Sequence, residues 1–72
     1  MPKQSIDEAL REVYETRSVS KARAVSDVLR FHFGVNYAYV VNRFAKANDI
    51  DEKTAFEIWD ELMVEVEEEE SW

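Results

Sequence analysis

The residues that could do chemistry are few. The chain of 72 residues contains one histidine, His32, and no cysteine. There is therefore no disulfide, no thiolate metal site and no cysteine nucleophile. A histidine base needs a group to orient it and a nucleophile within hydrogen-bond reach. The serines (Ser5, Ser18, Ser20, Ser26, Ser71) read mostly as helix caps or surface, and His32 lies among apolar positions. Its expected role is a boundary histidine with one hydrogen-bond partner. Carboxylates are abundant, but none follow the calcium-loop spacing with its central glycine. No His or Cys cluster suits zinc. A single glycine builds no loop to cradle phosphate. The expectation is a non-enzymatic chain with no catalytic residue, no metal and no cofactor.

Charge carries more information. The net charge is −7, unevenly spread: residues 1–36 hold six basic and five acidic side chains, residues 37–72 three basic and eleven acidic. A chain this acidic repels nucleic acid and anionic lipid at long range and favours basic partners. Toward the C-terminus, Glu57, Asp60, Glu61, Glu65 and Glu68 share one helical side, with Val64 among them. Glu57, Glu61 and Glu65 are spaced i, i+4, i+8, which repels by a few tenths of a kcal/mol per pair. Such a ridge is stabilised by a basic partner surface. The run Glu67–Glu70 reads as a solvated acidic tail.

Four helices must position these groups. One glycine and one proline in 72 residues argue against turn-rich β architecture. Ser5-Ile6-Asp7-Glu8 is a capping box, and Ile6, Ala9, Leu10, Val13 and Tyr14 give one buried face, predicting a helix over about 6–17. Ser18 or Ser20 caps a second, about 20–33. There Ala22, Ala24, Val25, Val28, Leu29, Phe31, His32 and Phe33 cover more than half the circumference, predicting a central helix packed on two sides, with Phe31 at the edge of the buried face. Gly34 falls where a left-handed stop is needed, and Val35 can close it. Asn36 caps a third, about 37–47, with Tyr37, Val40, Val41, Phe44 and Ala47 inward and Tyr39, Asn42, Arg43 and Lys46 outward. Asp49 or Asp51 caps a fourth, about 52–66, with Ala55, Phe56, Ile58, Trp59, Leu62, Met63 and Val66 on one side. Glutamates at the negative end of its dipole predict fraying from about residue 67. The fold class is thus all-α, one compact bundle of four short helices over 1–66 with an acidic tail over 67–72, and Trp72 dangling at its end.

Residues 25–46 also resemble a helix-turn-helix motif. Phe33-Gly34-Val35-Asn36 followed by Val40 is similar to the Gly-Val-Ser…Val pattern at the turn and recognition helix of many repressors. The resemblance implies DNA binding, with Asn36, Tyr37, Ala38 and Asn42 reading bases and Ser20, Lys21 and Arg43 touching phosphate, supported by Tyr39 and Lys46 and with Arg23 and Arg30 nearby. Arg30 stands where the family places a small residue, and Arg43 where it places an apolar one.

Three readings follow. The leading one is a small acidic regulatory or inhibitory protein that binds a partner with a basic surface through Glu57, Asp60, Glu61, Val64, Glu65 and Glu68. The second is a dimeric helix-turn-helix DNA-binding regulator using Asn36, Tyr39, Asn42, Arg43 and Lys46. The third is an assembly component that self-associates, as a homodimer or more, through aromatic surface. No apolar h-region follows Met1, and no apolar run approaches the roughly 20 residues of a membrane span, so the expected location is cytoplasmic.

Overall fold

Each helix begins where a short polar side chain can take up a free amide. In the computed structural model, which describes residues 5–70, α1 spans Ile6–Thr16. The Ser5 hydroxyl accepts from the Glu8 amide at 3.1 Å. α1 stops at Arg17, which is left-handed (φ 54°) and donates its amide to the Val13 carbonyl. α2 spans Val19–Asp27, and its cap is Ser18, which accepts from the Lys21 amide at 3.2 Å. α3 spans Tyr37–Asn48, capped by the Asn36 side chain on the Tyr39 amide at 2.9 Å. α4 spans Glu52–Glu70. Its cap is Asp51, whose carboxylate accepts from the Thr54 amide and hydroxyl. Asp49 instead closes α3 in the left-handed region (φ 53°). Asx side chains tolerate that conformation because they bond locally to backbone.

Two boundaries depart from the sequence expectation. α4 does not end at 66: its backbone stays helical through Glu70. Glutamate is a good helix former, and a dipole penalty of a few tenths of a kcal/mol per residue does not outweigh continued backbone bonding. Val66 is the last buried side chain, and Glu67 and Glu68 are exposed. Trp72 lies outside the described residues.

The second departure is larger. α2 does not run on to 33 as one α-helix; Val28–His32 form a π-helical turn. Phe33 lies eleven residues after buried Ala22, so a regular helix would bring it within about 20° of Ala22 on the wheel. A π turn advances less per residue, so five residues rotate the face back by roughly a quarter turn. Phe33 leaves the core side and is 64% exposed. Phe31 is 78% exposed rather than packed at the edge of the face. Ala24, Val28 and His32 are exposed as well. Gly34 (φ +66°) then reverses the chain, and the Val35 amide donates back to the Leu29 carbonyl at 3.3 Å.

The helices pack in a ring. α1 lies against α2 and α3, and α4 against the same two, while α2–α3 and α1–α4 touch little. Every helix thus has two neighbours, and α2 holds no central place. The core is built on Phe44, fully buried, edge-on to Tyr14 (6.0 Å) and tilted against the fully buried Trp59 (5.0 Å). Leu10, Val13, Ala22, Val40 and Ala55 complete it with no exposed surface. The Asn48 amide ties α3 to α1, donating to the carbonyls of Leu10 (3.2 Å) and Phe44 (3.0 Å). Among the described residues no helix is long and apolar enough to cross a membrane.

Candidate functional site

The buried side of α4 dictates what its other side presents. Ala55, Trp59, Leu62 and Val66 point into the core. At 100° per residue, the opposite side is Glu57, Glu61, Val64, Glu65 and Glu68, with Asp60 at its edge. All six are exposed, and Val64 stands in the middle of the acids at 46% exposure. Glu57, Asp60, Glu61 and Glu65 form no ion pair among the described residues.

The ridge has two different borders. On one side Arg17 lines a shallow cleft with Ile58, Glu61, Leu62 and Glu65. Its charge is already committed: Nε donates to the Tyr14 carbonyl at 2.9 Å, and the guanidinium lies 5.0 Å from the Tyr14 ring centroid. On the other side is Tyr37, half-buried, with a hydroxyl that is shielded from solvent and lacks a partner. Burial raises the Tyr37 pKa above its usual 10, and the nearby Asp60 and Glu67 carboxylates raise it further. Arg23 and Arg30 line a cleft with Tyr37, Ser26, Asp27 and Glu67. They face α4, and do not join the outer face of α3 that the sequence reading set them near.

The α3 residues are engaged within the fold. Asn36 spends its side-chain oxygen on the cap. The Asn42 amide donates to the Glu52 carboxylate. Arg43 pairs with Asp7 of α1 at 3.1 Å and donates to the Tyr39 hydroxyl at 3.3 Å. Those two hydrogen bonds, Tyr39 first, raise the Arg43 pKa further above its ordinary value. Lys21 is paired with Glu12 at 2.9 Å. Lys46 is exposed and Tyr39 half-exposed, while Val41 is buried and Tyr37 half-buried. The α2–α3 pair touches little, whereas the two helices of a helix-turn-helix pack on each other at the turn.

His32 is exposed, with no hydrogen-bond partner among the described residues, so the expected boundary partner is missing. Among the described residues no three carboxylate or imidazole groups gather around a point where a metal ion could sit. The exposure of Phe31 and Phe33 departs from the sequence reading, which puts Phe31 at the edge of the buried face and Phe33 within it. One signal for it existed: positions 31 and 33 lie 200° apart on a helix, so one buried face cannot take both.

Comparison of the chain with protein-family models, curated proteins and solved structures finds no match.

Proposed function

We propose that this chain is a non-enzymatic regulatory or inhibitory protein that binds a partner protein with a basic surface through the outer side of α4. The observation that carries the reading is the exposed row Glu57, Glu61 and Glu65, flanked by Asp60 and Glu68, without ion pairs at Glu57, Asp60, Glu61 and Glu65 and centred on half-exposed Val64. Unpaired like charges held on a rigid helix are preorganised for a complementary surface. The charges speed encounter and fix orientation, and an apolar anchor supplies desolvated contact. A dimeric helix-turn-helix regulator draws less support, since Asn36, Asn42 and Arg43 would first have to give up partners inside the fold.

The test is capture from extract with the wild-type chain and with Glu61→Lys/Glu65→Lys, each with and without nuclease, followed by crosslinking. A protein held by wild type, released by the double variant and crosslinked within residues 57–68 supports the reading. A partner still held by the variant refutes it. Retention that vanishes with nuclease moves the function to α3, where loss with Arg43→Ala and a steep fall with salt are expected.

A further inference from the structure

We propose that the groove between α3 and α4, walled by Tyr39 and Phe56, receives an arginine side chain of the basic partner. The inference rests on the α4 reading for the partner's charge, and adds the residue type that the partner presents.

The groove gathers two aromatic rings and one carboxylate. Its volume is about 420 Å³, and its walls include Tyr39, Asn42, Glu52 and Phe56. Both rings are half-exposed, and both are held by neighbours. The Tyr39 hydroxyl accepts from Arg43 at 3.3 Å, and Phe56 stands edge-on to Tyr37 at 5.8 Å. Glu52 is fixed as well, since its Oε1 accepts from the Asn42 amide. No cation pairs with Glu52 among the described residues, and its Oε2 has no partner among them.

Charge decides the occupant. An apolar segment laid over this groove takes Glu52 out of water and supplies no cation, and burying an unpaired charge is costly. An acidic segment meets Glu52 on a chain of net charge −7. A cation is the occupant that the carboxylate favours, and the rings choose between the two kinds. The planar guanidinium of arginine stacks on an aromatic face and offers a carboxylate its N–H groups in a fixed fork. Its methylene stem covers apolar ring surface. The compact, strongly hydrated ammonium of lysine matches the carboxylate and is the poorer fit to a ring.

The groove adjoins the acidic ridge. Phe56 precedes Glu57 in the chain and lies one helical turn before Asp60, so one partner surface covers both features. The ridge draws in a basic surface of any composition. The groove asks for arginine at one place on it.

The test is an NMR titration of the wild-type chain at low salt with three pentapeptides. Each has two lysines on either side of a central arginine, lysine or leucine. The flanking lysines engage the ridge, and the central residue reads the groove. The arginine peptide is expected to bind roughly three- to fivefold tighter than the lysine peptide. It alone is expected to shift the signals of Tyr39, Asn42, Glu52 and Phe56. Equal binding of the arginine and lysine peptides overturns the inference, and so does a leucine peptide that matches the arginine one. Glu52→Gln keeps an acceptor for Asn42 and is expected to erase the arginine preference with helical circular dichroism unchanged. A preference that survives it overturns the inference. Phe56→Ala is expected to erase the preference too, and if that variant does not fold, Glu52→Gln decides alone. Glu61→Lys/Glu65→Lys separates the two readings, since it is expected to weaken all three peptides and leave the preference for arginine. Ridge signals that no peptide moves refute the ridge, while the groove stands or falls on the arginine preference.

Discussion

Glu61→Lys is expected to make this protein more stable and less able to hold its partner. Glu61 stands four residues from Glu57 and four from Glu65, all three exposed on the outer side of α4. Each acidic pair at this spacing destabilises by about 0.2–0.5 kcal/mol, and an opposite pair stabilises by as much. The substitution converts both pairs at once. Two terms reduce the gain. A cation placed N-terminal to the Glu65 carboxylate is the weaker orientation of such a pair, and Arg17 lines the same cleft as Glu61. The net stabilisation is about 0.5–1 kcal/mol. For a domain of this size that raises the melting temperature by roughly 2–8 °C. Thermal and urea unfolding followed by far-ultraviolet circular dichroism measure it, and the gain should shrink in high salt. An unchanged or lowered melting temperature at low salt would refute the unpaired ridge. A stabilised variant that captures partner as well as wild type would refute its function, because the acids would then be no more than a solvated face.

Other expectations concern the core and the titrating groups. Trp59→Phe should change stability by only about 1 kcal/mol, because the buried indole N–H has no partner and removing it offsets the smaller ring. Trp59→Ala should lose about 3–5 kcal/mol by urea unfolding, and a Trp59→Phe loss of similar size would show that the N–H is satisfied. Asn48→Ala should lose about 1–3 kcal/mol in the same assay, since it leaves the Leu10 and Phe44 carbonyls without that donor. Asp51 has a carboxyl pKa held below the usual 3.8 by its hydrogen bonds from Thr54. Its contribution to folding is therefore present above pH 3.8 and is lost as pH falls through the lowered value, which carboxyl NMR titration will check, and Thr54→Val, which removes the hydroxyl donor and keeps the amide, should shrink the shift without abolishing it. Tyr37 runs the other way: its raised pKa favours the neutral form in the fold. That contribution is complete below pH 10 and is lost as pH rises through the raised value, read by phenolate absorbance and abolished by Tyr37→Phe.

What the sequence determined by itself is the local layer. Ser5, Asn36 and Gly34 act on amides and dihedrals within a few residues, so their roles can be read from neighbours along the chain. Most of the inner faces of α1, α3 and α4 follows from a constant helical period, and the outward direction of the α4 acids with it; Phe56, placed inward by that reading, is 48% exposed, its ring edge-on to Tyr37 at 5.8 Å. Only the tertiary structure decided the rest. Ser18 and Asp51 prevailed over Ser20 and Asp49 as caps, and local pattern favoured neither of either pair. Arg43 meets Asp7 across 36 positions of chain, and no spacing rule reaches that far. The ring of helices separates Arg23 and Arg30 from Arg43, so a basic face that looked continuous in the sequence is divided. At Val28–His32 the assumption of one period fails. A π turn advances less per residue than an α turn, so the register of the helix changes there, and two phenylalanines that periodicity and edge packing assign to the core become surface.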